Sequence, residues 1–75
     1  MKLSQLRPGE CGVVTGIQQG SLTRRLRDLG LTDGTAVTCM LRSPLGDPCA
    51  YAFRGSVIAM RKKDADTVGV EHHGT

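Results

Sequence analysis

The chain has 75 residues, 39% of them hydrophobic and 23% charged, with a formal net charge of +3. That length holds one domain, and a core this small rarely supplies more than about 3–5 kcal/mol, so the fold must be simple and locally consistent. No stretch approaches the roughly 18 consecutive apolar residues of a membrane span, and the start MKLSQLRPGE lacks the apolar run of a signal peptide, so the chain reads as soluble, unexported and cytoplasmic.

Leu3 and Leu6 form an apolar opening segment closed by the turn signal Pro8-Gly9. CGVVTGIQ, from residue 11, reads as a first strand: Val13 and Val14 are β-branched, while Gly12 and Gly16 mark bending or a bulge. SLTRRLRDLG is the one convincing helix. Ser21 is its N-cap, Leu22, Leu26 and Leu29 make one apolar stripe, and Gly30 sits where a left-handed residue ends a helix, with Leu31 folding back. So short a helix cannot stand alone and must cap a sheet.

After the turn Thr32-Asp33-Gly34, residues 35–42 alternate as a strand with Val37, Cys39 and Leu41 on one face. The stretch SPLGDP then makes a stiff loop: Pro44 and Pro48 restrain the residues before them, and Gly46 permits a positive φ. Cys49, Tyr51 and Phe53 alternate on the core face of a third strand, and Gly55 turns the chain into the fourth, SVIAMR. On this register Cys49 lies opposite Leu41 and Cys39 opposite Tyr51, which makes the two cysteines diagonal neighbours. Residues 62–66 read as a polar turn and TVGVE as a short closing strand, followed by a frayed tail at 72–75. Short strands, turn signals and one capping helix give a mainly β chain of about five strands in a small, strongly bent barrel, with a single domain over 1–75.

The catalytic inventory is poor. There is no glycine-rich phosphate loop, no paired acidic motif, and both histidines stand near the C-terminus, so the chain does not read as an enzyme. Three cysteines, at 11, 39 and 49, without C-x-x-C spacing argue against a disulfide framework and a zinc knuckle. A weak metal set remains in Cys11, Cys39, Cys49, His72 and His73, for which Fe²⁺ or Zn²⁺ would be the ions. Polyproline recognition and base stacking both require exposed aromatics, and Tyr51 and Phe53 are the whole supply, spaced for the core.

The order of features resembles the FeoA family of bacterial ferrous-iron uptake. The carrying residues are Leu3-x-x-Leu6, Pro8-Gly9, Gly12-x-Val14-x-x-Ile17 and Leu22-x-x-Arg25-Leu26-x-x-Leu29-Gly30-Leu31-x-x-Gly34. They continue with Val37, Pro44-Leu45-Gly46-Asp47-Pro48, Gly55-x-x-Ile58-Ala59-x-Arg61 and Asp64-Ala65. The resemblance covers residues 3 to about 70, and the helix motif and proline loop are specific in combination. It implies an SH3-like β-barrel with a helix inserted after the first strand. It also implies a cytoplasmic accessory to FeoB, the membrane ferrous-iron transporter with a G-protein domain, acting by protein contact and meeting the membrane only through that transporter. Cys39 and Cys49 stand where the family commonly has β-branched apolar residues, and Asp33 where proline is frequent.

The expected partner surface combines Arg24, Arg25 and Arg27 of the helix with Pro44, Leu45, Gly46, Asp47 and Pro48, Leu45 being the apolar anchor. Two alternatives stay open: a transition-metal-binding, metal-responsive protein, and an SH3-like RNA-binding module carried by the basic clusters, although no nucleic acid is expected on the main reading. A homo-oligomer is compatible with the sequence.

Overall fold

Alternating apolar residues in five short segments build the sheet. The computed structural model describes residues 1–20 and 23–73. A 3₁₀ turn (Leu3–Gln5) leads to β1 (Cys11–Ile17), α1 (Thr23–Asp28), β2 (Ala36–Arg42), β3 (Cys49–Phe53), β4 (Ser56–Met60), α2 (Lys62–Ala65) and β5 (Val68–His73). All pairings are antiparallel and the order is β4-β3-β2-β1-β5. The extents, 28 × 25 × 23 Å, are nearly equal, as for a sheet that curls around its own core. This is the mainly β architecture expected, with the helix after the first strand.

The inward residues are Val14 of β1, Val37 and Cys39 of β2, Cys49, Tyr51 and Phe53 of β3, and Val68 and Val70 of β5. Met60 of β4 joins them, and Leu3, Leu6, Leu26, Leu31 and Ala65 complete the core. The two sheet edges are treated differently. β5 is covered by the N-terminus: Met1 exchanges backbone bonds with Val70 at 2.8 and 3.0 Å, and Lys2 bridges Gly69. Among the described residues β4 has no neighbour beyond β3.

α1 ends as its sequence requires. The Leu31 N–H donates to the Leu26 carbonyl and the Gly30 N–H to that of Arg27, both at 2.9 Å, the paired bonds of a Schellman motif. Gly30 has φ +101°, and Leu31 is fully buried beside Leu26. The β3–β4 hairpin turns through Arg54 (φ 48°) and Gly55 (φ 77°), the positive pair of a type I′ turn. Arg54 is held in that unusual conformation by its side chain, whose Nε donates to the Gly30 carbonyl at 2.9 Å. The hairpin thus ties down the last turn of the helix.

Four expectations need correction. Pairing of β2 with β3 shifts between Cys39 and Leu41, so Met40 is an extra residue; Cys39 stays opposite Tyr51, but Leu41 falls opposite Ala50 and Arg42 opposite Cys49. One inserted residue reverses the alternation beyond it, leaving Leu41 65% exposed rather than in the core. Arg42, opposite Cys49, instead donates to the Leu6 carbonyl at 3.0 Å. Residues 62–65 form a helical turn rather than a simple polar turn, because Ala65 packs in the core and the Asp66 N–H returns to the Lys62 carbonyl at 2.8 Å. The supposed frayed tail is structured as far as His73: β5 pairs His72 with Gly12 and His73 with Cys11. Within the expected stripe, Leu26 is buried and Leu29 is 44% exposed, while Ser21, Leu22 and residues 74–75 lie outside the described residues.

Candidate partner-binding surface

The loop between β2 and β3 holds its shape through backbone bonds at both ends. The Gly46 N–H donates to the Ser43 carbonyl at 2.8 Å, closing a turn with proline at its second position, and the Ser43 N–H donates to the Pro48 carbonyl at 3.2 Å. Gly46 has φ +85°, as the spacing of the two prolines anticipates, and the Asp47–Pro48 peptide is cis. Leu45 at the tip is 95% exposed. It does not fold back over the barrel. Pro44, Asp47 and Pro48 are exposed beside it, and Gly46 is half-buried.

Asp47 anchors the loop to the next element: its Oδ1 accepts the Lys62 N–H at 2.8 Å, at the start of α2. Arg61, the residue before, lines a groove of about 170 Å³ together with Arg25, Leu26 and Leu29 of α1, Ile58, Ala59 and Met60 of β4, and Asp64. The loop and the basic helix, far apart in sequence, are therefore joined through the Arg61–Lys62 corner. Arg24, Arg25 and Arg27 are all exposed, and among the described residues the one ion pair is Glu10 with His72, at 3.0 Å. The guanidinium groups of α1 thus make no salt bridge within the described chain.

Sequence reasoning missed the groove, the Asp47 anchor and the Glu10–His72 pair. Each joins positions 15 or more apart, and only Leu29, an apolar stripe residue beside exposed arginines, gave any local sign of the groove.

The candidate metal ligands fall in two separate places. Cys39 and Cys49 are buried, while Cys11 is half-buried on the β1–β2 surface with its Sγ 3.1 Å from the Thr38 Oγ1. His73 lies opposite Cys11, and His72 is engaged by Glu10. Among the described residues no three His, Cys, Asp or Glu side chains gather in a metal-holding geometry. Burial pushes the Cys39 thiol above its ordinary value, with the neighbouring Cys49 adding to it, and burial likewise raises the Tyr51 hydroxyl. Both thiols belong to the hydrophobic interior. The Glu10 carboxyl is lowered, first by the Arg7 backbone N–H it accepts at 2.7 Å and then by His72. Tyr51 and Phe53 are both buried, so neither presents a ring to a nucleobase or a proline helix. Among the described residues no helix is long and apolar enough to cross a membrane.

The model of the FeoA domain matches residues 1–72. The chain belongs to the FeoA family. FeoA proteins are non-enzymatic accessory proteins of ferrous-iron transport, and the SH3-like fold expected from the resemblance is theirs. The FeoA protein of Chlorobium tepidum is 36% identical and superimposes with a TM-score of 0.89, over 96% of this chain and 70% of that one. The FeoA of Stenotrophomonas maltophilia, an SH3 domain protein solved in complex with zinc, is 30% identical with a TM-score of 0.86, over 95% and 89% of the two chains. A fusion of Fe(2+) transport protein A with the Fe(2+) transporter FeoB in Porphyromonas gingivalis is 29% identical over 72 residues. The match takes in 95% of this chain and only 8% of that protein.

Proposed function

We propose that this FeoA-family chain works on the cytoplasmic side of a FeoB-type ferrous-iron transporter, by direct contact with its cytoplasmic, G-protein-bearing part. The observation that carries this is the Porphyromonas gingivalis fusion, in which a FeoA segment and the FeoB transporter are one chain. Covalent linkage keeps the two parts at high effective concentration, which is useful where they meet during function.

The contact surface is the one formed by Arg24, Arg25 and Arg27 with the loop from Pro44 to Pro48. Its physical support is the exposure of Leu45 on a preorganised loop, which has little conformational entropy left to lose on binding. A leucine fully desolvated at an interface centre contributes about 2 kcal/mol, and the exposed arginines of α1 steer an acidic partner towards it. Ferrous iron is the transporter's cargo in this reading, and the residues of this chain act on the transporter rather than on the ion.

The test is ferrous-iron uptake in cells lacking this protein, complemented with the wild-type chain or with Leu45→Asp at matched abundance. Wild type restores uptake and the variant does not. Equal restoration by both removes the loop from the proposal, and no restoration by wild type removes the transporter.

A further inference from the structure

The β4 edge has the geometry of a strand acceptor. Its hairpin closes through a two-residue loop, so Phe53 and Ser56 form the first mutually bonded pair, followed by Tyr51–Ile58 and Cys49–Met60. The backbone N–H and C=O groups of Val57 and Ala59 therefore point away from β3. Among the described residues no backbone group reaches them. The segment SVIAM contains no charge, no proline and no bulge, the usual protections of an exposed edge. The opposite edge, β5, is already covered by Met1 and Lys2.

Alongside this bare edge runs the groove between β4 and α1. Leu26, Leu29, Ile58 and Met60 make its apolar lining, and Arg25 and Arg61 stand with Asp64 around it. Two guanidinium groups against one carboxylate leave it positive, in a chain that itself carries +3.

We infer that this groove binds an extended peptide segment of a partner protein, added to β4 as a sixth strand and carrying a large apolar residue two positions from an aspartate or glutamate. Main-chain bonds to Val57 and Ala59 supply the registration. Residues two apart in the added strand lie on the same face, about 6.6–6.8 Å apart. The apolar side chain enters between Leu29 and Ile58 while a flanking carboxylate reaches Arg25 or Arg61. The groove selects by the chemistry of the segment, whichever protein carries it, and so stands or falls apart from the transporter assignment.

The test is an NMR titration of the ¹⁵N-labelled full chain with the peptide acetyl-Thr-Glu-Thr-Leu-Thr-Glu-Thr-amide. Saturable shifts should centre on residues 57–60 with Leu26 and Leu29, and amide exchange at Val57 and Ala59 should slow. A surface charge contact would not protect those two amides. Replacing both glutamates of the peptide by lysine, or N-methylating its central backbone nitrogens, should weaken binding about tenfold or more, equivalent to at least 1.4 kcal/mol. The Arg25→Glu/Arg61→Glu variant changes only exposed side chains, and its preference should invert towards the lysine peptide. Several results would overturn the assignment: no saturable shift, shifts centred on Leu45 or on Arg24 and Arg27, or equal binding of the N-methylated peptide. Shifts at Val57 and Ala59 that grow with protein concentration in the absence of peptide would overturn it in favour of a second copy of this chain.

Discussion

Replacing Gly30 by alanine should be among the most damaging single-atom changes in the molecule. At φ +101° an L-residue is strained, at a cost of about 1–2 kcal/mol. The added Cβ would also meet the Arg54 Cδ at 2.8 Å, closer than real Cβ atoms come. Arg54 must then swing away, giving up the 2.9 Å bond from its Nε to the Gly30 carbonyl. A hydrogen bond to a charged group contributes about 1.5–3 kcal/mol, and the exposure of Arg54 places this one at the low end. Together the two effects cost about 2–4 kcal/mol. A domain of this size has on the order of 4–11 kcal/mol in total, so Tm should fall by roughly 10–25 °C. Thermal and urea unfolding followed by circular dichroism measure this, and repeating Gly30→Ala in an Arg54→Ala background separates the terms. Alanine at 54 keeps its own positive φ in both arms, so that strain cancels, while the collision is gone. Gly30→Ala should therefore cost about 1–2 kcal/mol less in the second background. An equal loss in both backgrounds would refute the role given to Arg54, and a loss under about 0.5 kcal/mol would refute the strain at Gly30.

The remaining predictions concern the thiols, the loop and metal binding. Iodoacetamide should modify Cys11 in the native protein and reach Cys39 and Cys49 only at the rate of unfolding, as mass spectrometry of timed aliquots would read. Because burial raises the Cys39 thiol, the folded state favours its protonated form. The stability this contributes is complete below the ordinary value of 9.0 and is lost as pH rises from there through the raised native value. Cys39→Val should delay the start of alkaline unfolding, leaving the later loss that Tyr51 causes above 10.0. Leu45→Asp should unfold within about 0.5 kcal/mol of wild type, since it removes no buried contact. Calorimetric titration with Zn²⁺ or Fe²⁺ under reducing conditions should give the same weak binding for wild type and for Cys39→Val/Cys49→Val. Stoichiometric micromolar binding lost in the variant would restore the metal reading.

Much of the fold was legible because its signals are local. The Leu26–Gly30–Leu31 ending of α1, the glycine turns and the alternation of Cys49, Tyr51 and Phe53 each lie within a few residues, and the structure keeps all of them. The β2 bulge was not legible, since nothing in CMLR says which residue is extra until β3 sets the register. His72 and His73 looked like a tail for the same reason: what orders them is pairing with Gly12 and Cys11, some 60 residues earlier. Of the candidate site, the stiffness of the proline loop and the basic character of α1 could be read from spacing. Their connection through Asp47, Lys62 and Arg61 is a property of the folded chain alone.

Contact with the transporter is tested most directly by calorimetric titration of this protein into the isolated cytoplasmic domain of a FeoB protein, with wild type, Leu45→Asp and Arg24→Ala/Arg27→Ala compared at low and physiological salt. Wild type should bind saturably. Leu45→Asp, folded as wild type, should bind at least about tenfold more weakly, in keeping with loss of one desolvated anchor. The arginine variant should lose mainly the salt-dependent part. Unchanged binding by Leu45→Asp would contradict the surface assigned here, and no binding by wild type would contradict the contact itself.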